Sequence, residues 1–251
     1  MTVFTAVNGT LINALTVLIG GVIGSLAGDR LPQRIHEALF GVLGLFTVLI
    51  GLLSALTTKN PLILLGSLLL GTIIGEIINI EAGLEHAGNW LQKKLARSGS
   101  TLSEAFVTAS LVFCVGPLSV LGSLDNGLSG DTTKLVIKAT LDGFAALAFG
   151  ATLGWGVLLA IFTILLYQGG LSLGAHAIAP LLTGNPDAIT ELTAAGGLIL
   201  VAVGLKLLKI RDLRVANYLP ALIVAPLLVA GVSAWPQISD TVLSLWQQIF
   251  H

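Results

Sequence analysis

The chain has 251 residues, 55% of them apolar and 10% charged, with a mean hydropathy of +0.95 and a net charge of −1. That much apolar surface cannot be hidden in one water-soluble core, so a bilayer must be the solvent, and the charge excludes the basic footprint of a nucleic-acid binder. Thirty glycines suit helices whose backbones approach closely, because membrane helix interfaces favour small residues.

At about 20 residues per crossing, apolar segments fall near 8–27, 37–57, 61–79, 104–122, 133–168, 190–209 and 217–235. The expected fold is an all-α integral membrane protein, a single membrane domain over 1–251 with about seven transmembrane segments and six to eight crossings. Its discontinuous helices are expected near 113–150. No lysine or arginine precedes Arg30, so the first run lacks the basic region of a secretory signal and is expected to remain in the mature protein.

On the first segment, Asn8, Thr10 and Asn13 are spaced to face the bundle together, more as interhelical hydrogen bonds than as ligands. Gly20, Gly24 and Gly28 form a small-residue stripe, as do Gly71 and Gly75 on the third segment. Two stretches read as interfacial rather than spanning. In 81–98, Glu81 and Glu85 come early and Lys93, Lys94 and Arg97 late, the order that suits a helix dipole. In 237–250, Ile238, Val242, Leu245, Trp246 and Ile249 share one face.

The run from Phe113 to Asp131 starts as a membrane helix and meets Gly116-Pro117, then turns rich in Gly, Ser, Asp and Asn. Pro117 removes the hydrogen bond to the Phe113 carbonyl. Two readings are open: a broken helix that coordinates an ion or solute through the stretch from Gly116 to Ser123, with Ser119 inside it, or a proline kink followed by a solvent loop at 123–131. Cys114 cannot form an internal disulfide and reads as packing. Beyond it, Lys138 and Asp142 stand four apart on one helix face, either an interfacial salt bridge or an intramembrane pair that changes partner during transport. Gly143 leaves backbone open beside Asp142.

The segment 133–168 is too long for one perpendicular helix, about 54 Å against a core of about 30 Å. It must tilt, protrude or break. Loop charge points to the same place. The positive-inside rule puts the groups around Arg30 and Arg34, around Lys93, Lys94 and Arg97, and around Lys206, Lys209, Arg211 and Arg214 in the cytoplasm, with both termini outside. This holds only if 133–168 crosses twice or not at all. Spacing also suggests a repeat with halves 1–100 and 131–235. Thr10-Leu11, Gly20 and Gly24 match Thr140-Leu141, Gly150 and Gly154, while Gly44-Leu45, Val48 and Gly51-Leu52 match Gly197-Leu198, Val201 and Gly204-Leu205. The halves would be inverted if the charge argument holds, and parallel in a plain seven-crossing chain.

Glu76 and Glu104 are expected in water at segment ends, as is Glu191 at the start of the sixth, with Tyr167, Gln168 and His176 closing the fifth and Asn217 capping the last. No HExxH, GxSxG, GxxxxGK[ST] or cysteine-pair motif occurs, so neither an enzyme nor a resident metal or cofactor is expected.

The segments GTLINA at 9–14, Phe106 through Cys114-Val115-Gly116-Pro117 to Gly130-Asp131, Leu141-Asp142-Gly143, Tyr167-Gln168-Gly169 and Asn217 to Pro220 resemble, in order along nearly the whole chain, the YdfK/YqgA-like family of uncharacterised bacterial membrane proteins. Where that family places an acid directly before the glycine, this chain has Asn126, with Asp125 one place earlier. The resemblance implies a multi-pass inner-membrane protein suspected of transport, and supplies neither substrate nor site. The expectation is a secondary transporter or permease for a small ion or metabolite, with Asn13, Gly116, Pro117, Ser119, Ser123, Lys138 and Asp142 around its site. The rival is a membrane scaffold or homo-oligomer packing through the glycine stripes.

Overall fold

The computed structural model describes residues 3–28, 30, 32–94, 101–114, 117–182 and 185–233. Among them are α1 (Val3–Gly28), α2 (Gln33–Ala55), α3 (Pro61–Ile78), α4 (Ile80–Lys94), α5 (Thr101–Cys114), α6 (Pro117–Ser129), α7 (Thr133–Leu153), α8 (Ala160–Leu173), α9 (Ala175–Leu182), α10 (Pro186–Leu207) and α11 (221–233), with no strand. The interfacial helix expected at 237–250 and Gly116 lie outside the described residues. Six stretches are long and apolar enough to cross a membrane, and the pair Leu102–Cys114 and Leu118–Ser129, bent by 62°, makes a broken seventh. Leu62, Ile77 and Leu166 are each more than three-quarters exposed, as expected of side chains solvated by lipid.

The stretch Thr133–Leu173 does not run straight. The Asn13 amide reaches Asp142 Oδ2 at 3.0 Å and Gln168 Oε1 at 3.2 Å, yet these two residues would stand about 39 Å apart on one continuous helix. The chain folds back through a 3₁₀ turn at Gly154–Leu159, entered by Gly154 at φ +76°, a left-handed conformation that glycine adopts without a steric penalty. α7 and α8 therefore run in opposite directions, so the 41-residue apolar stretch Thr133–Leu173 is folded back on itself rather than straight. Of tilting, protruding or breaking, the segment breaks.

Glycines set the helix seams. A Cβ on Gly20, Gly24 or Gly28 would collide with the carbonyl oxygens of Gly143, Leu147 and Ala151, so α1 and α7 run parallel with backbones in contact. α2 and α10 run antiparallel. A Cβ on Gly197 would lie 2.6 Å from the Gly51 carbonyl oxygen, and one on Gly204 would lie 2.9 Å from that of Gly44. α3 packs antiparallel on the last span, with Gly71 against Ala221 and Gly75 against Asn217. Without a hydrophobic drive between helices in lipid, such close van der Waals contact holds the bundle. These stripes are consumed inside the chain, so the faces named for a scaffold are not open to a second chain.

The charge pattern follows the fold. Arg30, Arg34, α4 and the 208–214 connection lie at one end, the basic end, where Glu81 accepts from Lys206 at 2.9 Å and from the Ala216 N–H at 2.7 Å. Lys59 and Lys134 lie at the other, paired with Asp187 and Asp125. Glu191 is buried in the second turn of α10, not at a water interface. It accepts from the Thr58 hydroxyl at 2.7 Å and from the N–H groups of Lys59 and Asn60 at 2.8 and 2.9 Å. Asn217 does not act as a cap: its side-chain oxygen accepts the Glu81 N–H at 2.8 Å.

A candidate solute site at the middle of the bundle

Asn13 and Asp142 each stand near the middle of their helix, and the fold-back between α7 and α8 brings Gln168 to the same level. Asn13 and Gln168 are 0% exposed, Lys138 5% and Asp142 8%, so the ion pair is buried within the bundle. Lys138 donates to Asp142 Oδ2, one turn away on α7. Together they are neutral, whereas either charge alone at this depth would cost several kcal/mol.

The amides have a fixed sense. A carboxylate only accepts, so Asn13 must turn its NH2 toward Asp142, and the same NH2 donates to Gln168 Oε1. Asn13 Oδ1 and Gln168 Nε2 are then left on the far edges, buried and without a hydrogen-bond partner. The hydroxyls of Thr10, one turn from Asn13, of Ser172, one turn from Gln168, and of Ser123 on α6 are buried and unpartnered as well. Each such group costs about 1–3 kcal/mol when left unsatisfied, and here five gather on α1, α6 and α8.

The helix break lies beside them. Cys114 at the end of α5 is buried. The Phe113 carbonyl released by Pro117 does not stay open: the Ser119 hydroxyl donates to it at 3.1 Å. Ser119 thus mends the break, and Pro117 starts α6. The solvent loop read at 123–131 is instead mostly helix. Ser123 and Asn126 are fully buried, and Gly127 closes on the Ser172 carbonyl. Asn126 donates to the Thr5 carbonyl and to Asn8 Oδ1, both at 2.9 Å, and accepts from the Gly9 N–H at 3.1 Å. A carboxylate could not make those two donations, which accounts locally for an amide where the relatives were expected to carry an acid.

At the basic end a cavity of about 470 Å³ opens between α4, α5 and α10, lined by residues that include Glu85, Ser103, Glu104, Thr108 and Lys206. Thr108 is six residues short of Cys114 on α5, about 9 Å of helix. Past it, the Ser110 and Thr163 hydroxyls share a hydrogen bond of 2.9 Å. The opposite end is closed around Asn126. Among the described residues no group of three or more His, Cys, Asp or Glu is placed to hold a metal ion.

Of the residues singled out in the sequence, Asn13, Lys138 and Asp142 come together in direct contact. Ser123 lies among the unpartnered hydroxyls and Ser119 serves the break. Gln168 was missed as a site residue, because its burial appears only once the segment folds back.

A family described as "Protein of unknown function (DUF554)" matches residues 8–230. The chain belongs to this family. "Uncharacterized protein YqgA" of Escherichia coli (strain K12) is 35% identical over 232 residues, covering 90% of this chain and 98% of the relative. "Uncharacterized membrane protein YdfK" of Bacillus subtilis (strain 168) is 30% identical over 232 residues, covering 90% and 97%. No solved structure matches. The family is thus a membrane family of unassigned activity.

Proposed function

We propose that this member of the family is a secondary transporter or permease for a small solute, set in the bacterial inner membrane. The observation that carries the reading is the buried Lys138–Asp142 pair, joined to Asn13 and Gln168 and ringed by unpartnered polar atoms beside a broken helix. Polar groups at this depth are expensive and mark substrate or ion paths. The positive-inside rule puts the basic end in the cytoplasm. A cavity there, with closure around Asn126 opposite, fits the inward-open state of an alternating-access cycle. No ATP-binding motif accompanies it.

The helix order supports a repeat of the inverted kind found in such proteins. α1, α2 and α3 each pack on an antiparallel counterpart, α8, α10 and the last span. The α2–α10 seam is reciprocal: Gly44 meets Gly204 and Gly51 meets Gly197, the pattern a two-fold axis produces. The α1–α7 match falls on parallel helices, so one inversion cannot include it.

A melting-temperature screen of the purified protein against ions and metabolites tests the reading, since a ligand of the native state raises stability. A ligand that stabilises the wild type should leave Asp142→Asn unmoved, even when Lys138→Gln accompanies it. A double variant that folds and responds like wild type would remove the pair from the site.

A further inference from the structure

We infer that the site between α1, α6 and α8 takes a small uncharged solute that both donates and accepts hydrogen bonds, such as an amide, a urea or a polyol. This rests on the transport reading and narrows its cargo to one chemical class.

Charge comes first. Lys138 and Asp142 already neutralise each other, and the polar groups around them, Thr10, Asn13, Ser123, Gln168 and Ser172, carry no charge. An ion entering here would meet no uncompensated opposite charge in a medium of low dielectric.

The second argument is the mix of hydrogen-bonding atoms. A metal cation needs oxygen acceptors and an anion needs donors. The two amides instead leave one of each, Asn13 Oδ1 to accept and Gln168 Nε2 to donate, and the three hydroxyls can do either. An acceptor and a donor on adjoining side chains complement a molecule that carries both on one edge.

Room is the third, and it is independent of the other two. Gly169 is buried, yet a Cβ built on it would meet no atom within 4 Å. Gln168, Gly169 and Ser172 share an arc of about 100° on α8, so the open space and the unpartnered groups lie on one side of the helix.

The test uses the full chain in lipid vesicles. Light scattering follows swelling in acetamide, urea or glycerol, while ion-sensitive dyes follow sodium, potassium and proton flux in parallel. Swelling in at least one uncharged probe should be several-fold faster than in protein-free vesicles, with no ion flux. Gln168→Leu should abolish the gain. Gly169→Val should also reduce it strongly while leaving the melting temperature of the protein nearly unchanged, because the added side chain enters open space. Ion flux without any uncharged flux would overturn this inference and leave the transport reading standing. No flux of either kind would remove both. Swelling unaltered by Gly169→Val in a folded protein would place the path elsewhere and overturn the inference.

Discussion

Glu81 and Asp142 are both buried carboxylates paired with a lysine, and they differ in what surrounds them. Around Glu81 the carboxylate is tied on both oxygens: Lys206 meets one and the Ala216 N–H the other, while the Glu81 N–H is taken by Asn217. Around Asp142 the network stops short, leaving Asn13 Oδ1 and Gln168 Nε2 bare. Around Glu81 only Asn217 Nδ2 is left bare, whereas the Asp142 network and its neighbours on α1, α6 and α8 leave several such atoms together, and a partly satisfied network leaves hydrogen-bonding capacity for something else. The first binds α4 to the basic end. The second reads as a site.

The harshest break of this comparison removes the seam on which the central network is built. Gly24→Leu drives a side chain into the Leu147 backbone, and folded protein should be lost from membranes, measured by yield and by monodisperse elution in detergent. Next comes Asp142→Ala, which strands Lys138 and should cost about 3–5 kcal/mol, measured by denaturation in detergent. Combining Lys138→Met with Asp142→Leu should recover most of that stability without recovering flux. If flux returns with the fold, the two networks are alike and the comparison fails.

Glu81→Ala should cost about 3 kcal/mol by stranding donors to a charged group, with flux per folded molecule unchanged. Here the paired change, Lys206→Met with Glu81→Leu, should recover little, because the Ala216 N–H stays unsatisfied. Equal recovery at both sites would blur the distinction. Ser119→Ala, which frees the Phe113 carbonyl, should lower stability by about 1 kcal/mol. The gentlest test leaves stability alone. In a Cys114→Ala background, Lys59→Cys should react with an impermeant thiol reagent from outside, and Arg211→Cys only after the membrane is opened. Labelling of Arg211→Cys from outside would invert the assignment of the ends.

Where sequence and structure agree, a local constraint was strong enough to decide. The length of 133–168 forced a break, the i,i+4 spacing paired Lys138 with Asp142, and four-residue glycine spacing placed Gly20 and Gly24 on a neighbour. Where they part, the deciding contact is distant. Gln168 looks like the end of a segment until Gly154 reverses the chain and carries it to Asn13. The Ser123 to Ser129 stretch has the composition of a soluble loop, yet in a bundle the same small residues let α6 close on Ser172 and Ala175. Glu191 looks like a terminal acid until the α2–α3 connection donates three hydrogen bonds to it.

The contact between Asn13 and Gln168 joins residues 155 positions apart. At ribosomal rates of about 5–20 residues per second, roughly 8–30 s separate the synthesis of one from the other. For most of that interval the polar face of α1 is in the membrane before Asn126, Asp142 and Gln168, its final partners, have been made. α8 faces the converse difficulty: with 14 residues it reaches about 21 Å, short of a core of about 30 Å. It is therefore poorly suited to insertion by itself. The fold-back resolves both needs in one event, since α7 carries α8 into the bilayer and delivers Asp142 and Gln168 to the waiting Asn13 together. Assembly of the central site is then a late, post-insertion step, and α1 needs a temporary shield from lipid until α7 and α8 arrive.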